Sequence, residues 1–377
     1  MTKHKRMRIV RRREWLRIKN KEPKGKKYKF LKNYEKRKRR QISFIHAHNP
    51  EHIELPEHID FEENIDSILN ITNDINTFLA LPYKKLVRIN HKHIKSITIG
   101  GLVYLVAQIS KIPTQKSQEL KYVEELGLRR KDERIRYLFS EAGYWDYFGI
   151  SNPYKVTSDI KDNYFLSLYS NNVSDVKLLN KIKYFIKDKV DFMNDYEVEY
   201  KFDDAIKEAM ANSIEHAYTD DYNKKGKIKG KWWVCGHYDK INSSIELVFY
   251  DYGIGIRESI KRNLGEEAER VLKDKVRDYF RNDADLIELA MKSRLTKYKH
   301  YKEHDRGKGF KRFKEFAKIS GNDCELTIVS DSGRYKYFYD GIAQKDFQVK
   351  TPNIGGNIEG MLIKWKIKLN GKDTQGV

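Results

Sequence analysis

Two cysteines in 377 residues, Cys235 and Cys324, stand far apart and outside any CxxC or Cys/His finger spacing. That excludes a disulfide framework and a structural zinc site. Long apolar runs are missing too: the best candidate, Ile97 to Ile109, is short and interrupted by Thr98 and Gln108. The N-terminus has no apolar signal core, and the chain carries no internal repeat. These absences predict a soluble, cytoplasmic chain with no membrane partner. His46, His48, His52 and His58 crowd one stretch but match no coordination template, so they read as polar linker residues.

What is abundant is positive charge, and it is unevenly placed. The net charge is +21. Residues 1 to 40 hold 20 Lys/Arg against Glu14, Glu22 and Glu35, a net of +17, so the other 337 residues carry only +4. Such a tail, over residues 1–41, cannot bury enough apolar surface to fold alone and is expected to be disordered or ordered on an acidic partner. Trp15, Tyr28, Phe30 and Tyr34 interleave with the charges and allow base stacking, so nucleic acid is one partner class and an acidic protein surface another.

Chemistry concentrates in three short stretches of the second half. The first is Glu208 to Ala217, EAMANSIEHA, inside a segment from Phe202 whose packing side, Ile206, Met210, Ser213/Ile214 and Ala217, recurs at helical spacing. Glu208, Asn212 and His216, spaced i, i+4, i+8, line the opposite side. An amide oxygen one turn from a carboxylate suits metal-assisted phosphate chemistry: Asn212 can ligate Mg²⁺ while Glu208 orients or deprotonates a nucleophile. Taken alone, the same residues also fit a solvated helix face. The second stretch, DYGIGI at Asp251 to Ile256, follows the strand-forming run Ile245 to Tyr250. Asp251 at the strand end can accept an adenine amino hydrogen bond, and Gly253 and Gly255 permit positive φ and close backbone approach, although a plain turn has the same composition. The third, RGKGF at Arg306, Gly307, Lys308, Gly309 and Phe310, precedes the periodic Phe313, Phe316, Ala317 and Ile319. A glycine-rich turn into a helix offers amides and positive charge to phosphates, and it is also what a flexible loop looks like.

In this order the three stretches resemble the GHKL superfamily of ATP-binding domains, which includes gyrase B, heat-shock chaperones and histidine kinases. Within it, EAMANSIEHAY is most similar to the first box of bacterial anti-sigma-factor serine kinases, which read E-A-x-x-N-A-x-x-H-x-Y. The resemblance spans Lys181 to Leu369 and implies a Bergerat-type α/β sandwich with a mixed sheet, with ATP and Mg²⁺ as cofactors. It implies Glu208 as catalytic base, Asn212 as the Mg²⁺ ligand, Asp251 as the adenine contact, and Gly253, Gly255, Gly307 and Gly309 as nucleotide-loop glycines, with His216, Ile256, Arg306, Lys308 and Phe310 beside them. Cys324 to Val329 and Met361 to Ile367 read as further strands. One departure stands out: where the family has Gly-Thr entering its last strand, this chain has Gly360 and Met361. The segment 257–305 would be a long lid with its own helical pattern at Asp285 to Ala290. No phosphoacceptor helix of the H-E type precedes the domain, which argues against a two-component sensor.

Upstream, Leu86 to Asn90 reads as a strand, His91 to Ser96 as a turn and Ile99 to Ile112 as an apolar helix. Over Lys85 to Ser110 this resembles STAS domains, the antagonist partners of anti-sigma kinases. Where those carry a phosphoacceptor serine, this chain has Thr98, Ile99, Gly100 and Gly101, with Ser96 close by. Arg134 to Ile150 reads as a closing helix and aromatic turn. The expected organisation is a basic tail (1–41), a STAS-like α/β domain (42–155), a linker helix region (156–180) and the ATP-binding domain (181–377). Three functions fit: an Mg²⁺-dependent ATPase or ATP-gated regulatory switch in a bacterial cell, a protein serine/threonine kinase, and a nucleic-acid-binding adaptor with a degenerate ATP site. A protein held by the first domain and a second copy of the chain complete the expected partners.

Overall fold

The computed structural model describes residues 51–80, 87–112, 133–153, 163–189, 191–215, 231–261, 282–292, 309–319 and 322–369. The basic tail, His216, Arg306, Gly307 and Lys308 therefore lie outside the described residues.

The chain begins with β1 (Glu51–Glu54), β2 (His58–Ile59), α1 (Ile65–Leu79), β3 (Val87–Asn90), β4 (Ser96–Ile97), α2 (Ile99–Ile109), α3 (Glu133–Glu141) and α4 (Tyr144–Tyr147). β1 pairs with β3, and β2 with β4, each in parallel. α1 is amphipathic, burying Ile68, Ile71 and Ile75 at helical spacing. α2 is apolar all round and buried along its whole length, as a central helix must be. Its first turn is capped by Thr98, whose side chain accepts from the Gly101 amide at 3.2 Å. Gly101 cannot be replaced, since a Cβ there would stand 2.2 Å from the Ile59 carbonyl oxygen.

The rest comprises β5 (Asn163–Asn171), α5 (Val176–Lys187), a 3-10 turn (Asp191–Asn194), α6 (Tyr196–Glu215), β6 (Trp232–Asp239), β7 (Ser244–Asp251), α7 (Asp283–Lys292), α8 (Gly309–Ile319), β8 (Asp323–Asp331), β9 (Gly333–Asp340), β10 (Lys345–Thr351) and β11 (Ile358–Lys368). The strands form one sheet in the order β10-β9-β8-β11-β7-β6-β5. Every described pairing in it is antiparallel, which corrects the expected mixed sheet. Two features of the chain path go with this. α5 and α6 stand between β5 and β6 in the chain, and the two strands pair antiparallel. β7 and β8 do run in the same direction, but β11 inserts between them and pairs antiparallel with both. Among the described residues parallel pairing is confined to the short ladders β1–β3 and β2–β4.

Runs such as Trp232 to Gly236 and Met361 to Trp365 are buried without alternation, the pattern of strands covered on both faces. α5, α6, α7 and α8 cover one face, packing Phe202, Ala209, Leu286, Phe313 and Phe316 on Trp232, Phe249, Ile328 and Ile363. α1 to α4 cover part of the other, packing Leu102, Tyr104, Phe139 and Trp145 against Trp233, Val248, Tyr250, Val329 and Leu362. The elements expected as a separate first domain thus share a core with the sheet. β5, within the expected linker, is an edge strand of that sheet. α7, within the expected lid, belongs to the packed layer, with Ala284, Leu286 and Ile287 fully buried. The protein is therefore a mixed α/β fold built on a large antiparallel sheet. Among the described residues no helix is long and apolar enough to cross a membrane.

Candidate functional site

α6 forms because one of its sides is apolar at helical spacing: Phe202, Ala205, Ile206, Ala209 and Met210 are all buried. Glu208 and Asn212, one turn apart, lie off that side and are partly exposed. Ser213 follows Asn212 and points into the core, 0 % exposed, donating to the Ala209 carbonyl at 2.9 Å and reaching Asp251 Oδ2 at 3.4 Å. Asn212 Nδ2 is buried and has no hydrogen-bond partner.

Asp251, the last residue of β7, is 3 % exposed. Burial pushes its carboxyl up to about 7, against the opposing pull of the Ser213 hydroxyl and the Gly253 amide. In strand register it faces Trp232 on β6 and Met361 on β11, and Met361 in turn faces Ser330 on β8. Opposed residues of antiparallel strands share a face, so Trp232, Asp251, Met361 and Ser330 form one row beneath α6. The Trp232 indole Nε1 in this row is also buried without a partner. Gly360 makes the row possible. Its φ is +89°, and a Cβ there would stand 1.9 Å from the Asp251 carbonyl oxygen and 3.0 Å from the Gly253 amide nitrogen. The Gly360-Met361 pair thus stands beside Asp251, with a thioether where the resembled family has a hydroxyl; the hydroxyl of the row is on Ser330.

The loop after Asp251 behaves differently from expectation at one glycine. Gly255 adopts φ +75°, with both Asp331 carboxylate oxygens 2.7 Å from where its Cβ would be, while Gly253 is not in the positive-φ region. A short helix over residues 255–261 begins there. Its first amides are already taken: Ile256 N donates to Ser330 Oγ at 2.9 Å and Arg257 N to Asp331 Oδ2 at 3.1 Å. The Ile256 side chain is in the core, 5 % exposed, so it faces packing and not solvent. Burial raises the Asp331 carboxyl as well.

α8 packs across α6. Arg312, in its first turn, donates through Nη1 to Glu208 Oε2 at 2.9 Å, and its Nε lies 3.8 Å from Asp204 Oδ2. Its guanidinium therefore spans one turn of α6. The first turn of α8 holds Lys311 and Arg312 and no acidic residue, the opposite of what a helix N-terminus favours. Gly309 opens the helix, as the sequence predicts; Phe310 follows it in the same turn.

Of the expected site residues, the fold brings Glu208, Asn212 and Asp251 around α6, with Gly253 and Gly255 in the adjoining loop and Gly309 and Phe310 starting the facing helix. The sequence reading missed Ser213, Arg312, Ser330, Asp331 and the role of Gly360. Ser213 carried a signal, a hydroxyl on an apolar helix side, which needs a partner when buried. Arg312 carried none, because its role depends on how α8 crosses α6. Among the described residues no group of three or more His, Cys, Asp or Glu could hold a metal ion. No protein-family model matches the chain, and no curated protein matches it.

Proposed function

We propose that the chain binds ATP with Mg²⁺ beside α6 and hydrolyses it, acting as an ATPase or ATP-gated switch. The observation that carries this reading is convergence. The first two stretches meet where Ser213 touches Asp251, and the helix that follows the third stretch reaches the same side about 1.4 turns away, where Arg312 touches Glu208. Asp251, close to half-protonated at neutral pH, suits a base edge that presents both donors and acceptors. The cationic first turn of α8 suits phosphate, which would offset the unfavourable meeting of Lys311 and Arg312 with the helix N-terminus.

Asn212 fits a metal-holding role. One atom of its amide is buried and unpaired, and since the two amide atoms are interchangeable by a flip, Oδ1 can take that position. Mg²⁺ bound by one protein amide and by phosphates would neutralise phosphate charge, the usual arrangement where no all-protein cage exists. Glu208 is the group that would accept a proton from water. Arg312 now holds its carboxylate, so releasing Arg312 toward phosphate would free it for that task.

A second reading, phosphotransfer to protein, draws on one contact. Ser96, which opens β4, is exposed and its Oγ lies 2.7 Å from His58 Nδ1, whereas Thr98 is committed to capping α2. Incubating the protein with Mg²⁺ and γ-labelled ATP separates the readings. Free phosphate that disappears in Glu208→Ala supports the hydrolase, and label on protein that disappears in Ser96→Ala supports transfer. Absence of ATP binding in the intact protein would remove both.

A further inference from the structure

The two edges of the large sheet are treated very differently. β5 is blunted: its register with β6 shifts between Leu166 and Tyr169. Its outward backbone is also occupied, with Leu168 N donating to Ala142 O at 2.8 Å and Tyr137 Oη to Asn163 O at 2.9 Å. Bulges and covering elements are how folded proteins keep an edge from recruiting another strand. β10 has neither. It pairs with β9 over seven residues without a register shift, ends the sheet, and is exposed from Lys345 to Lys350. Phe347 and Val349 are 59 % and 47 % exposed, and Phe347 stacks on Phe338 of β9 at 4.7 Å.

We infer that β10 is a dimerisation edge, where a second copy of this chain adds its own β10 antiparallel about a twofold axis through Gln348. The strand is complementary to itself in that register. Side chains opposed across a twofold perpendicular to the sheet must share a face, so the axis passes through a residue and not between two. With Gln348 on the axis, Phe347 of one copy meets Val349 of the other, and Asp346 meets Lys350, each contact occurring twice. Each charge brings its own counter-ions to the edge: Asp346 sits with Lys318 at 2.5 Å, and Lys350 with Asp285 and Glu288 at 2.6 and 2.8 Å. Apolar contact forms on the open face, where Phe338, Phe347 and the other copy's Val349 become one strip. Registers centred on Phe347 or Val349 lose the Asp346 to Lys350 match.

The test uses the full chain in sedimentation equilibrium over a range of concentrations. Wild type associates reversibly to a dimer. Val349→Lys, at an exposed position, abolishes association while leaving the far-UV circular dichroism unchanged. Asp346→Lys and Lys350→Asp each weaken the dimer about tenfold, and the two together recover it. Register is read by disulfide formation: Phe347→Cys mixed with Val349→Cys gives a covalent heterodimer, against a background of buried Cys235 and Cys324. A wild-type chain that stays monomeric at every concentration overturns the inference, as does a dimer that Val349→Lys leaves intact or a mixture that does not cross-link.

Discussion

Two neighbouring residues of β7, Tyr250 and Asp251, stand on opposite faces of the sheet and meet very different polar surroundings. Behind Tyr250, on the face covered by α1 and α2, polar groups close on one another. Tyr250 donates to the Glu359 carbonyl and is met by Gln108 Nε2 at 3.4 Å. The Glu359 carboxylate takes Lys111 on one oxygen and Asn76 on the other, at 3.2 Å for Asn76. Thr72 pairs with Tyr104 at 2.5 Å, and Gln108 Oε1 is the one atom of this group left over. In front of Asp251, under α6, Asn212 Nδ2 and Trp232 Nε1 lack partners and a carboxyl is buried without a cation among the described residues. A closed network holds the fold together, whereas an open one is a cost that a fold tolerates where a ligand completes it. The Lys111 ammonium also lies 4.2 Å from the centre of the Tyr252 ring, which follows Asp251 in the chain and packs on the Tyr250 side.

The largest effect expected from this contrast is on the open side. Glu208→Gln keeps the shape of the side chain and most of its contact with Arg312 but removes the base. Turnover of ATP is expected to fall by about 10²- to 10⁴-fold with nucleotide affinity changed far less, as read from phosphate release and equilibrium binding. An equal loss in both measurements would assign Glu208 to binding or folding instead.

Next in size is a test on the closed side. Lys111 is nearly inaccessible, 5 % exposed against 31 % for Glu359, and burial lowers its ammonium while Glu359 opposes the shift. Lys111→Met strands a partly buried carboxylate. The expected cost is about 2 kcal/mol in chemical denaturation, below the range for fully buried pairs because Glu359 keeps some solvent. Pairing it with Glu359→Gln should recover most of that loss, since both charges then leave together. Failure of the double variant to recover would mean that the network is less closed than it looks.

Much of this arrangement was legible from local pattern. The side of α6 that carries Glu208 and Asn212 follows from periodicity alone. β7 ending at Asp251 follows from a β-branched and aromatic run stopped by glycines, and α7 from its apolar spacing. What the sequence could not reveal is set by pairing at long range. Nothing in the order of elements says that β11 inserts between β7 and β8, so the direction of the sheet was misread. The hairpin of β9 and β10 was not anticipated, although Gly333 to Asp340 carries the aromatic and charged alternation of a half-buried strand. Gly360 could be recognised only once β11 lay against Asp251, and Arg312 only once α8 crossed α6.

The smallest expected effect sharpens the contrast through pH. In the folded protein Asp251 is raised to about 7, from 3.8 for the free carboxyl, because burial disfavours its charge. A raised carboxyl favours the folded state fully below the unfolded value; that contribution is lost as pH rises toward 7, after which the buried charge is a constant cost. Asp251→Asn retains an oxygen that can accept from Ser213 and Gly253 but cannot ionise. The melting temperature of this variant should therefore match wild type near pH 4, gain on it steadily up to about pH 7, and keep a fixed advantage above. The gain is bounded at about 4 kcal/mol by the size of the shift and is expected to be smaller, since relaxation and water entry relieve buried charge. Calorimetry at pH 5, 6, 7 and 8 reads the slope. A constant difference across that range would mean that Asp251 is solvated or paired in solution, which would place the open side of the sheet in the same class as the closed one. A slope that saturating ATP abolishes in wild type would instead tie the cost of the buried carboxyl to the ligand that relieves it.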